Sequence, residues 1–78
     1  MTTDTALRSF SVFACEDGPA RSHRVDGESF EDAAIGFVEV WHPPVDAEGE
    51  VAVMVTDCES GRAQCLKVDV GGEVTPCD

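Results

Sequence analysis

From Ser9 to Cys15 the chain alternates strictly, sending Phe10, Val12 and Ala14 to one side and Ser9, Ser11, Phe13 and Cys15 to the other. A period of two over this length predicts a strand with one firm core face, with order beginning at Arg8. Glu16-Asp17-Gly18-Pro19 reads as a turn. The polar segment Ser22 to Val25 is predicted to return beside the first strand as a weak edge strand. Arg21, His23 and Arg24 are residues of the kind that blunt such an edge.

The period then changes. Ser29 is suited to accept the orphan N–H groups of a helix start, Asp32 stands three residues on as an imperfect capping-box partner, and Glu31 and Asp32 favour the positive end of the dipole. Phe30, Ala33, Ala34, Phe37, Val38, Val40 and Trp41 fall within an arc of about 160° at helical spacing, a stripe broad enough to cover a sheet. Pro43 and Pro44 end the helix. Ile35 lies outside this stripe, between Glu31 and Glu39, and is expected to face solvent or a partner.

After an acidic loop from Val45 to Gly49, alternation resumes over Glu50 to Thr56 and Ala63 to Val70, which flank Asp57-Cys58-Glu59-Ser60-Gly61-Arg62 as a hairpin. Two registers keep Val51, Val53 and Val55 on one face with Leu66, Val68 and Val70. A four-residue loop, Cys58 to Gly61, sets Asp57 opposite Arg62; a two-residue Gly61-Arg62 turn sets Cys58 opposite Cys65. The first is favoured, because Asp57 supplies a side-chain cap and Gly61 the positive φ that such a turn needs. This register also separates the two cysteines and argues against a disulfide across the hairpin.

The predicted fold class is therefore α+β: a three- or four-stranded, mainly antiparallel sheet with one helix packed on one face, in the order β-β-α-β-β. The expected organisation is a disordered arm over residues 1–7, one domain over 8–72 and a C-terminal tail over 73–78. A chain of 78 residues has room for a single modest core.

Charge limits the partners. Sixteen acidic residues against five Lys and Arg give a net charge of −11, which repels phosphate backbones and anionic lipid headgroups. No nucleic-acid or membrane partner is expected. The apolar runs around Ile35 to Trp41 and Val51 to Val55 are too short or too interrupted to span a bilayer, and no secretory signal is legible, so the expected address is cytoplasmic.

The candidate chemistry is sparse. Cys15, Cys58, Cys65 and Cys77 have irregular gaps and no C-x-x-C, and His23 and His42 lie far from them, so neither a zinc site nor another metal site is expected. In a reducing compartment these cysteines are expected to be mostly free thiols. The acidic neighbours of Cys15, Cys58 and Cys77 are expected to disfavour a reactive thiolate, and Cys65 reads as a small packing residue on its strand. His42 is placed to bond the last helix carbonyls, and His23 to be exposed. The run Asp46-Ala47-Glu48-Gly49-Glu50 resembles a calcium loop in composition but lacks its ligand order. No catalytic residue and no cofactor site is assigned, and the chain is not expected to be an enzyme.

A more informative feature is the second sheet face, where Phe13, Cys15, Ala52, Met54, Thr56, Ala63 and Cys65 stand beside Lys67. It is too apolar to be simply wet, and one helix covers only one side. Either the tail with Val74 and Pro76 folds over it or another chain does. Phe13, Met54 and Cys65, with Ile35, are the candidate interaction residues, for a homodimer or an unidentified protein partner.

Ser29-Phe30-Glu31-Asp32-Ala33-Ala34, Trp41-His42-Pro43 and Asp57-Cys58-Glu59-Ser60-Gly61-Arg62 together resemble a family of small uncharacterised bacterial proteins known only as a domain of unknown function. That resemblance implies no activity and transfers no site residue. A strand followed by Ser-Phe-Glu-Asp-Ala-Ala is also similar to small antitoxin-like β/α domains. The expected function is a protein-interaction or homodimerising module. The alternative is an acidic nucleic-acid mimic or antitoxin-like inhibitor of a basic partner protein.

Overall fold

The computed structural model describes residues 7–77. Strands β1 (Arg8–Ala14) and β2 (His23–Gly27) precede the helix α1 (Phe30–Trp41), and β3 (Glu50–Asp57), β4 (Ala63–Asp69) and β5 (Val74–Pro76) follow it, with one 3-10 turn at Pro19–Arg21. All five strands join one antiparallel sheet in the order β2-β1-β3-β4-β5. The chain is thus α+β with one helix and an antiparallel sheet. The sheet has five strands rather than three or four, because the segment expected to be a tail pairs with β4. Most of the arm expected over residues 1–7 lies outside the described residues.

The core is built from one parity of each long strand. Phe10, Val12 and Ala14 of β1, Val25 of β2, Val51, Val53 and Val55 of β3, and Leu66 and Val68 of β4 are buried together with Ala33, Ala34 and Phe37 of α1. Each such Val, Leu or Phe contributes roughly 1.5–3 kcal/mol on burial. Phe30 meets Phe10 edge-on, with ring centroids 5.2 Å apart, and Val38 and Val74 pack at the margin.

The helix starts as its sequence requires. Ser29 Oγ accepts the Asp32 N–H at 3.1 Å, and the Asp32 carboxylate accepts the N–H of Glu28, one residue before the cap, at 3.0 Å. Its rotation over the sheet departs from the predicted stripe: Phe37 is buried, whereas Val40 is 65 % exposed and Trp41 is 41 % exposed. The cause lies in β2. A side chain on Gly27 would stand 3.0 Å from the Ala33 backbone nitrogen, and one on Gly36 would stand 3.3 Å from Val25, so these two glycines let α1 close onto the strand. Trp41 then stacks on His23, and Val40 is left outside.

The hairpin adopts the register with the four-residue loop. The Asp57 N–H donates to the Arg62 carbonyl at 2.7 Å, the Gly61 N–H to the Asp57 carbonyl at 2.8 Å, and Gly61 has φ 78°.

Candidate functional site

The sheet's outer face carries the candidate residues in a readable order. Phe13 pairs with Met54, and Met54 with Cys65, so three of them form a row across β1, β3 and β4, each half-buried. Ser11, Thr56 and Ala63 form the row beside it, and Ala52 and Lys67 pair on the other side. Ile35 is not part of this face. It belongs to the helix layer, where it lines a shallow groove with Val38, His42, Val45, Val68 and Val70.

The tail does not fold over the outer face. Val74 pairs with Val68 and packs at the margin of the helix-side core, and the segment lengthens the sheet instead. This placement corrects the expectation for the cysteines. Leu66 pairs with Pro76, which sets Cys77 opposite Cys65; the Cys77 N–H donates to the Cys65 carbonyl at 3.1 Å, and the two sulfurs form a disulfide. Cys65 is therefore covalently bound rather than a free packing thiol.

Cys15 and Cys58 are the free cysteines. The Cys15 N–H donates to the Ala52 carbonyl at 2.9 Å, and its sulfur lies 4.0 Å from Cys65 Sγ. Although Cys15 as a residue is exposed, partial burial of its sulfur pushes the thiol above its ordinary pKa.

Four aspartates, Asp32, Asp46, Asp57 and Asp69, accept backbone N–H groups at the helix start and in turns. Asp46 Oδ1 accepts the N–H groups of Glu48 and Glu50 at 2.9 and 3.0 Å, while the Asp46 N–H donates to the Glu50 carbonyl at 2.8 Å. Asp69 repeats the arrangement: Oδ1 accepts from Gly71 at 2.8 Å and Glu73 at 2.9 Å, and the Asp69 N–H donates to the Glu73 carbonyl at 3.0 Å. Both loops read Asp-x-x-Gly-Glu, with the glycine at positive φ. The two are joined where the Val70 N–H donates to the Gly49 carbonyl. The Glu50 and Glu48 N–H groups hold the Asp46 carboxyl below the usual range. Asp46, Glu48 and Glu50 bring carboxylate oxygens within 4.8 Å of one another, but the loop geometry already employs Asp46.

Asp57 is the one buried charged residue among those described. Its Oδ1 accepts the Glu59 N–H at 2.9 Å, and its Oδ2 lies 3.1 Å from the Arg8 guanidinium. The Glu59 N–H, aided by Arg8 and Ser60, holds its carboxyl low against the opposing effect of burial. The ion pair was not anticipated from the sequence. Its signal is parity: Asp57 follows Val51, Val53 and Val55 on the core face, and Arg8 precedes Phe10 on that face.

The histidines also depart from expectation. His23 is half-buried on the core face beside Val12, with its ring 4.3 Å from Trp41. His42 caps the helix through its backbone N–H, which donates to Val38, and sits in the left-handed region at φ 48° and ψ 55°.

No helix among the described residues is long and apolar enough to cross a membrane. Neither the curated proteins nor the solved structures contain a match to the chain. A family model, however, matches residues 8–78, and the chain therefore belongs to the family of unknown function DUF5961.

Proposed function

We propose that the chain is a non-catalytic interaction module that works through the outer face of its sheet, by pairing with a second copy or by binding another protein. The row Phe13, Met54 and Cys65 carries this reading: two large apolar side chains lie side by side on a domain whose charge is −11. The edges of the sheet favour the face over strand addition. β2 presents Arg24 and Asp26, and β5 has only three residues, the last being Pro76. Ile35, in the separate groove of the helix layer, would serve a second contact.

Light scattering across a concentration series tests the reading, with Met54→Glu as the probe. The expected result is a molar mass that rises with concentration and a variant that stays monomeric. A wild-type chain that remains monomeric throughout overturns the homodimer. A set of captured proteins unchanged by Met54→Glu overturns use of the face for a different partner.

The second reading, an acidic nucleic-acid mimic or antitoxin-like inhibitor, is favoured by the net charge alone. The employment of Asp32, Asp46, Asp57 and Asp69 on backbone N–H groups counts against it, because those acids have a structural purpose. It requires binding to a basic partner that weakens steeply with salt. The setting proposed is cytoplasmic. In that compartment Cys65 and Cys77 would be held mostly as thiols, so an intact link in protein trapped directly from cells would point to an oxidising compartment instead.

A further inference from the structure

Three of the four cysteines converge on one point of the outer face, although the turn after β1, the strand β4 and the segment after β5 supply one each. Cys65 is bonded to Cys77 on one side and has the free Cys15 sulfur 4.0 Å away. Strand order fixes the direction of approach. β1 and β5 lie on opposite sides of β4, so Cys15 reaches Cys65 from the side away from Cys77. Thiolate attack on a disulfide needs a thiol within reach of one of its sulfurs, and the 4.0 Å separation supplies that proximity. Between them β3 offers Ala52, the smallest side chain on its outer face, which pairs with Lys67.

We infer that Cys15, Cys65 and Cys77 form an intramolecular thiol–disulfide exchange site, in which Cys15 takes Cys65 from Cys77. Cys15 gives its proton to solvent and its thiolate attacks Cys65 Sγ. The Cys15–Cys65 bond forms as the Cys65–Cys77 bond breaks, and the electron pair leaves on Cys77 Sγ, which takes up a proton. One disulfide and one thiol are present before and after, so no oxidant or reductant is consumed. The product holds β1 to β4 across β3, frees the end of β5 from its covalent tie and presents Cys77 as the thiol. The inference is independent of whether a second chain covers the face.

Tryptic mapping tests it, because each cysteine falls on its own peptide: Cys15 on 9–21, Cys58 on 25–62, Cys65 on 63–67 and Cys77 on 68–78. The protein, oxidised with glutathione disulfide and carrying Cys58→Ser, is held folded at about pH 9, above the ordinary thiol value, with iodoacetamide present. The expected result is alkylated Cys77 together with peptide 9–21 linked to 63–67, at a rate independent of protein concentration. Adding Cys15→Ser should abolish Cys77 alkylation. Alkylation confined to Cys15, or Cys77 alkylation that persists in the Cys15→Ser variant, overturns the inference. A second variant avoids dependence on the folding of the first: Cys58→Ser with Cys77→Ser should oxidise to an internal Cys15–Cys65 link. Glutathione adducts without that link would equally overturn it.

Discussion

The Arg8 guanidinium and the Asp57 carboxylate meet at 3.1 Å where β1 begins and β3 ends, with Asp57 opposite Phe10 in the strand register. Arg8 is partly exposed and Asp57 only 1 % exposed, so the pair seals the hairpin end of the core with its anion inside and its cation toward water. The same carboxylate caps the hairpin loop through the Glu59 N–H. One side chain therefore joins the first strand of the chain to the turn between β3 and β4.

This arrangement gives stability an acid limb of known sign. The Asp57 carboxyl titrates below its unfolded value of about 3.9, so the unfolded chain takes up the proton first. The stabilisation is complete above the unfolded value and is lost as pH falls through that value towards the lower folded one. Asp46, shifted in the same direction by its loop, adds to the limb. Melting temperatures from pH 7 down to pH 2 should fall less steeply for Asp57→Asn than for the wild type, from a lower starting point at neutral pH. Parallel curves would show that the Asp57 charge is immaterial to folding.

Closing the Cys65–Cys77 link should stabilise the fold by about 2–3 kcal/mol, the range expected for a ring of this size. The link fastens β5, which is held to the sheet otherwise by pairing of three residues and by the Asp69 loop. Urea unfolding of Cys77→Ser against the oxidised wild type measures the difference. Hydrogen exchange should place the lost protection in β5 and the neighbouring edge of β4, and an unchanged exchange pattern would contradict this account.

The same strand explains what the sequence concealed. Val74-Thr75-Pro76 is too short to establish a period and contains a proline, so it reads as tail; only its register with β4 makes it a strand and brings Cys77 to Cys65. By contrast, the helix limits were legible in Ser29 and Pro43, and the hairpin register in Asp57 and Gly61, because each is a local demand of the backbone. The outer row was legible by parity alone: alternation placed Phe13, Met54 and Cys65 on one face, and the pairing brings them side by side. Rotation of the helix was not, since it depends on how closely Gly27 and Gly36 let α1 approach β2. The separation of Ile35 from the sheet face is likewise a matter of layers rather than of sequence spacing.

Gly27→Ala tests that approach directly. The new methyl group would sit 3.0 Å from the Ala33 nitrogen and 3.3 Å from its Cα, both backbone atoms that move only if the helix moves. Overpacking of this kind costs about 1–3 kcal/mol. The single tryptophan reports the motion, because Trp41 stacks on both His23 and Phe37. The variant should unfold at lower urea, and its native Trp41 emission should shift to longer wavelength as the stack loosens. Wild-type stability and emission would mean that β2 and α1 have slack not apparent in their packing.

His42 offers the opposite experiment, a substitution expected to stabilise. It ends the helix at φ 48°, a left-handed conformation that disfavours residues with a Cβ by about 1–2 kcal/mol, while its backbone N–H makes the closing bond to Val38. Glycine keeps that bond and removes the steric cost, against an added loss of chain entropy of about 0.5–1 kcal/mol. His42→Gly should therefore raise stability by up to about 1 kcal/mol in urea unfolding. His42→Val, β-branched at the same position, should lower it, because branching makes positive φ still less accessible. If both variants lost stability equally, the imidazole ring rather than the backbone geometry would be what matters at the helix end.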